Sequence, residues 1–264
     1  MITHLPAYVP VEVHLERGSL PRVVEYSWTL AGASYLPNDW LAELFLALGH
    51  LAAGFTGVAL VKAAVVVALA LTLYRAALER SGGHARAAGL ATGVMVFVAA
   101  TNFIARPVLF GQLCLAVELL LIERALKGSR WAPFGLPLVM AAWINLHGSW
   151  PVGLGPLAAV AGSALLPLRW RRFGPRAIAA QARRWLLAGL ALAPLGLLAN
   201  PLGPAGLLRP FRLVGRQGDL TIIKEWSPVP LSDPSAWVLL GAVALVLFAC
   251  LFSRAALPIW DLGL

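Results

Sequence analysis

Two carboxylates near the start of a long apolar stretch have the spacing of an acid–base pair. Asp39 and Glu43 lie four residues apart, so they share one face of a helix. On an exposed face the pair could supply a general base. Alternatively, Asn38 and Asp39 cap a helix and the carboxylates complement its positive N-terminal end. Both interpretations predict a helix that begins near Trp40.

A second polar group lies between Trp143 and Trp150. Asn145 and His147 follow an apolar run, and Gly148 allows the chain to turn sharply. In a cavity, His147 could act as a hydrogen-bond donor or as an acid and base. Alternatively, the segment is an aromatic belt with polar residues at a helix end.

Several further polar residues are candidates for binding a substrate. Arg106 precedes a proline at a tight hairpin, where its guanidinium could bind phosphate or simply extend to the membrane surface. The segment 200–233 carries more arginines and, near its end, Trp226, which suits either a sugar platform or an interface anchor. The predicted binding residues are Arg106, Asn145, His147, Asn200, Arg212, Lys224, Glu225 and Trp226.

The elements that position these residues are predicted to be transmembrane helices. The 264-residue chain is 59% hydrophobic and 12% charged, whereas soluble domains carry about 25% charged residues. A spanning helix needs about 20 mostly apolar residues. Glu118 lies within one such run and is therefore a functional candidate. The predicted spans are 55–77, 86–105, 107–126, 132–147, 151–168, 184–200 and 235–254.

Basic residues alternate between the loops and so predict the topology. With the N-terminus outside, thirteen of the 21 Lys and Arg residues fall in cytoplasmic segments and seven fall outside. Short loops rich in Lys and Arg stay in the cytoplasm. The net charge of +9 therefore indicates topology and attraction to anionic lipids rather than nucleic-acid binding.

The predicted fold is an all-α, polytopic transmembrane helical bundle of about seven spans, with short interfacial helices on its outer face. Stretches 40–51 and 203–214 have the composition of such interfacial helices. The chain divides into an outer N-terminal segment with an interfacial helix, a six-span core, an outer loop with a second interfacial helix, and a last span with a cytoplasmic tail. The corresponding ranges are 1–54, 55–200, 201–234 and 235–264.

A series of short motifs resembles a group of bacterial polytopic proteins similar to GT-C type glycosyltransferases. The resemblance covers roughly residues 14–254, and the motifs agree in their order and their side of the membrane. They are Gly18-Ser19-Leu20-Pro21-Arg22, Tyr26-Ser27-Trp28-Thr29, Asp39-Trp40-Leu41-Ala42-Glu43, Arg106-Pro107, Trp143-Ile144-Asn145-Leu146-His147-Gly148, Asn200-Pro201-Leu202-Gly203 and Glu225-Trp226-Ser227-Pro228.

The resemblance implies transfer of a sugar from a polyprenyl-phosphate donor on the outer face of the bacterial cytoplasmic membrane. The partners would be membrane lipid and a polyprenyl-phosphate-linked sugar. Asp39 or Glu43 would be the base, and Arg106 and Arg212 would hold the donor phosphate.

Members of the class usually begin with a transmembrane helix and an acidic outer loop, but no span precedes Gly18. Relatives also usually continue with more helices after the equivalent of Arg254, whereas this sequence ends at Leu264. The resemblance therefore implies a member truncated at both ends, or one with a shifted start.

Two other functions stay open on the sequence alone. One is a non-enzymatic membrane protein that binds lipid, acts as a scaffold or takes part in transport. The other is an inactive, truncated family member. No outer cluster has clear metal-ligand spacing, so the residues do not indicate a cofactor, and a divalent metal stays an open alternative.

Overall fold

The computed structural model describes residues 39–100, 103–165, 173–174, 178–214, 230–252 and 257–258. Within these residues the fold is helical, as the sequence predicts, apart from two two-residue strands that pair in parallel. The helices are α1 (Trp40–Arg80), α2 (Ala85–Ala99), α3 (Val108–Leu126), α4 (Ala132–Leu146), a 3₁₀ turn (Trp150–Gly153), α5 (Leu154–Leu165), α6 (Ala180–Gly196), α7 (Pro204–Val214) and α8 (Pro234–Phe252); the strands are β1 (Phe173–Gly174) and β2 (Leu257–Pro258).

Among the described helices, α1 is long and apolar enough to cross a membrane. Four further apolar stretches have 10–17 residues each. The described helices are therefore consistent with a membrane protein, and the seven-span arrangement stays a prediction. The shorter apolar stretches are Ala85–Ala99, Ala132–Leu146, Trp150–Leu165 and Pro234–Ala249.

The 41 residues of α1 form two arms rather than one straight helix. Ala53 and Gly54 leave helical geometry, and Gly54 has a φ of 57°, a conformation that glycine adopts at little cost. Residues eight apart on a straight helix are separated by about 12 Å. Here, a Cβ added at Gly57 would overlap the carbonyl oxygen of Gly49, so the arms fold against each other. The break falls between the predicted interfacial helix and the first predicted span.

Close backbone contact holds α4 against α6. A Cβ added at Gly189 would overlap Pro133, and one added at Gly196 would overlap the carbonyl of Pro137. Ala193, between these glycines, is fully buried. Small residues at such positions let apolar helices approach closely. The two helices run in parallel, so their C-terminal ends meet at the same end of the bundle.

The described parts of the basic loops lie together at the other end of the bundle. Arg124, near the end of α3, donates to Glu79 near the end of α1 at 2.8 Å. The rings of Phe134 and Trp185, near the starts of α4 and α6, pack edge to face at 5.9 Å. We name this the basic end; the opposite end carries Asp39 and His147.

Candidate functional site

Asn145 ties three elements together at the end opposite the basic end. Its Oδ1 accepts a hydrogen bond from Trp40 Nε1 at 2.8 Å. Its Nδ2 donates to the carbonyls of Ala141 and Ala199, both at 2.7 Å. Only 7% of the residue is exposed. Asn145 thus joins the start of α1, the end of α4 and the chain after α6, and its role in substrate binding stays a prediction.

Asp39 stands at the N-cap position of α1, but the prediction that its side chain caps the helix is wrong. The side chain makes no capping hydrogen bond. Instead, Asp39 Oδ1 accepts from the backbone N–H of Gly148 at 3.0 Å. The carboxylate is therefore directed toward the turn that follows α4, because that turn offers an amide from a different element.

His147 belongs to a compact hydrogen-bonded group at the same turn. The backbone N–H of Ser149 donates to His147 Nδ1 at 3.1 Å, and Ser149 Oγ lies 2.7 Å from the same nitrogen. Because Nδ1 accepts a backbone N–H, the neutral ring carries its proton on Nε2. Trp143 Nε1 donates to Ser149 Oγ at 3.1 Å. Gly111 permits α3 to approach this group, since a Cβ there would lie 2.8 Å from Ser149 Oγ.

Burial and the partner's charge shift the pKa values of Asp39 and His147 in opposite directions. Burial raises the pKa of Asp39 above its usual range, and His147, the Gly148 N–H and Arg209 oppose that rise. Burial lowers the pKa of His147, and the charge of Asp39 opposes that fall. Both shifts favour the neutral forms of the two side chains.

Glu43 lies one turn after Asp39 and is more deeply buried. It is 5% exposed, and its Oε2 has no hydrogen-bond partner among the described residues. The nearby charges that act on Glu43 are those of Asp39 and Arg209. The two carboxylates therefore act on each other, as side chains one helical turn apart do.

Arg209 is a site residue that the sequence analysis passed over in favour of Arg212. It lies on α7 and acts on both Asp39 and Glu43. Its Nη1 is buried without a hydrogen-bond partner among the described residues. α7 is held near the site by the ring of Phe211, which packs on Trp150 with centroids 6.0 Å apart.

The other predicted binding residues have different surroundings. Arg106 is exposed in the turn before α3. Asn200 uses its Oδ1 to accept from the backbone N–H of Leu202 at 2.8 Å, so its side chain shapes the turn before α7. At Arg212 the structure describes the backbone of α7 and not the side chain, and Lys224, Glu225 and Trp226 lie outside the described residues.

Glu118 lies deeper in the bundle, behind this group. It is 1% exposed, and neither carboxyl oxygen has a hydrogen-bond partner among the described residues. A Cβ added at Gly153 would come within 2.7 Å of Glu118 Oε2 and would also overlap the ring of Trp143. Glu118 and Trp143 thus both lie against Gly153, and Trp143 also contacts the His147 group. No cation among the described residues offsets the charge of Glu118.

The arrangement provides a carboxyl group, an imidazole and a guanidinium at one end of the bundle. Within the described chain, no group of three or more His, Cys, Asp or Glu side chains is placed to hold a metal ion. Comparisons of the chain with protein families, curated proteins and solved structures find no match. The chemistry must therefore be argued from the side chains themselves: acid–base work by Asp39 or His147, and binding of an anionic group by Arg209.

Proposed function

We propose that the chain is a multi-span protein of the bacterial cytoplasmic membrane that transfers a sugar from a polyprenyl-phosphate donor, like GT-C type glycosyltransferases. In this proposal the Asp39 end faces outward and the basic end faces the cytoplasm. Large apolar side chains on the surface support the membrane location, among them Phe55, Leu90 and Leu138, each more than 70% exposed. Water would oppose exposing so much apolar surface, whereas lipid would cover it.

One observation carries the transfer proposal: the charge of Arg209 acts on Asp39 although 170 positions separate the two residues in the chain. Transfer to a hydroxyl acceptor needs a base for the acceptor proton and positive charge for the phosphate that leaves. Asp39 supplies the first group and Arg209 supplies the second. Asp39 suits the role better than Glu43 because it is half-buried, whereas Glu43 is 5% exposed.

The proposed step balances through these two residues. The acceptor oxygen forms a bond to the anomeric carbon as the bond from that carbon to the donor phosphate breaks. The acceptor proton passes to Asp39, and the electron pair of the broken bond stays on the phosphate oxygen beside Arg209. Burial, which raises the pKa of Asp39, makes its carboxylate a stronger base.

Transfer by the purified protein in proteoliposomes tests this proposal. Asp39→Asn keeps an oxygen that can accept from the Gly148 N–H, so we expect it to fold but to lose about 10²–10⁴-fold in rate. Arg209→Gln should lose about 10²–10³-fold, as does removal of a preorganised oxyanion contact. Arg75→Gln at the basic end is the control and should transfer normally.

Two results would contradict the proposal. One is wild-type transfer by Asp39→Asn. The other is substrate movement across the proteoliposome membrane with no sugar transfer, which would instead support the transport alternative. Arg106→Ala, measured in parallel, determines whether the exposed arginine before α3 also holds the donor phosphate, as the sequence predicts.

A further inference from the structure

A groove lies at the basic end, far from Asp39. It has a volume of about 430 Å³ and opens at the surface between the second arm of α1, α2 and α3. Along α2 it extends from Ala87 to Met95, which corresponds to about 12 Å of helix. Its walls are mostly methyl groups, from Ala76, Ala77, Ala87, Ala88 and Ala91, together with Leu73, Met95 and Leu119.

One end of the groove is polar. Arg80 and Ser81 line that end, together with Glu123. Glu123 is engaged by Lys127 Nζ at 3.4 Å. Among the described residues between 75 and 130, the basic end carries six cations and two carboxylates: Arg75, Arg80, Arg86, Arg124, Lys127 and Arg130 against Glu79 and Glu123. The excess positive charge at the basic end therefore favours binding of an anion next to the apolar part of the groove.

The start of α2 adds to this preference. His84 occupies the N-cap position without a side-chain capping bond, and the first turn of α2 contains no acidic residue. The exposed Arg86 lies in that turn. The amides of a helix N-terminus favour negative charge. The apolar walls, the arginines and the uncapped helix start thus converge on an amphipathic anion.

We propose that this groove binds an anionic phospholipid, with an acyl chain along the alanine walls and the headgroup phosphate beside Arg80 and Arg86. Basic pockets between helices on the cytoplasmic side of a membrane favour such headgroups. The inference depends on the membrane location proposed above and is independent of sugar transfer. A neutral lipid would fill the apolar slot but would gain nothing from the excess positive charge.

Native mass spectrometry of the detergent-purified protein, titrated with phosphatidylglycerol or phosphatidylcholine, tests the inference. We expect phosphatidylglycerol to bind more tightly to the wild type. Arg80→Gln/Arg86→Gln should weaken that binding about 30-fold, from the typical contribution of each basic residue near an anionic surface. Arg75→Gln/Arg130→Gln removes the same charge at positions that neither line the groove nor lie in the first turn of α2, and should bind like the wild type.

A second pair of variants tests the apolar walls. Ala91→Phe fills the groove without changing charge and should also abolish the preference for phosphatidylglycerol. Leu90→Phe adds a ring at the neighbouring position, which does not line the groove, and should have no effect.

Three outcomes would overturn the inference: equal binding of the two lipids, equal losses in the two arginine pairs, or a protein dimer that excludes lipid. A protein that stays monomeric in water without detergent would instead refute the membrane location. Loss of lipid preference with normal sugar transfer would leave the proposed function unaffected.

Discussion

At the scale of single residues, the site contains side chains that hold the structure together, such as Asn145, and side chains that are left to act on a substrate, such as Arg209. Asn145 uses both amide hydrogens and its oxygen inside the protein. Arg209 Nη1 and Glu43 Oε2 have no hydrogen-bond partner among the described residues. A buried polar atom without a partner costs free energy, so these two atoms are where a bound substrate would gain most.

The protonation of His147 depends on Asp39, and this gives a prediction for Asp39→Asn. Burial holds the pKa of His147 below its ordinary value, while the Asp39 carboxylate favours the charged ring and opposes that fall. Removal of the carboxylate should therefore lower the pKa of His147 further. In the variant, His147 should acquire its proton at a lower pH than in the wild type.

An NMR titration of labelled histidine in detergent micelles measures this shift. Glu43→Gln is the matched control, because Glu43 is not among the charges that act on His147. A His147 pKa that stays unchanged or rises in Asp39→Asn would show that the two side chains are not coupled. A fall of equal size in Glu43→Gln would indicate a general change of charge rather than the contact with Asp39.

Sequence reasoning located Asp39, Asn145 and His147 because polar residues within apolar runs stand out. It selected Arg212 rather than Arg209, because the two arginines lie three apart, close to the same helix face, and the sequence pattern does not distinguish them. Only the packing of α7, through Phe211 and Trp150, places Arg209 beside the carboxylates. The sequence likewise could not predict which group the Asp39 carboxylate contacts, since the Gly148 amide is 109 positions away.

At the scale of elements, apolar runs predicted the helices well, but not their internal geometry. The predicted run 132–147 corresponds to α4, and 107–126 corresponds to α3. The fold of α1 onto itself depends on Gly54, and the chain contains 25 glycines. Periodicity cannot single out Gly54 among them, because the contact between Gly49 and Gly57 that accompanies the break is a matter of tertiary packing.

The contact between α4 and α6 predicts a large effect of a single substitution. Gly189→Val would bring side-chain atoms into Pro133, and overpacking of this kind costs about 1–3 kcal/mol. We expect a lower thermal unfolding temperature in detergent, followed by circular dichroism. Gly241→Val on α8 is the control, because a Cβ there meets nothing within 4 Å. Equal stability of the two variants would mean that α4 and α6 pack less closely than described.

At the scale of the whole molecule, the separation of a basic end from a carboxylate end predicts a sidedness. In a background lacking Cys114 and Cys250, His84→Cys marks the basic end and Leu231→Cys marks the loop before α8. A membrane-impermeant maleimide applied to intact cells should label Leu231→Cys directly. His84→Cys should react only after the membrane is permeabilised. Labelling of both from the same side would contradict the proposed topology.

The bonds of Asn145 to Trp40 and Ala199 have a consequence for the time course of biosynthesis. Trp40 leaves the ribosome 105 residues before Asn145, and Arg209 follows 64 residues later still. At about 5–20 residues per second, the carboxylates of α1 wait about 10–30 s for their last partner. During that interval Asp39 and Glu43 lack the guanidinium that offsets their burial. The end of the bundle that carries Asp39 is therefore completed late in synthesis, after α1 to α6 have been made.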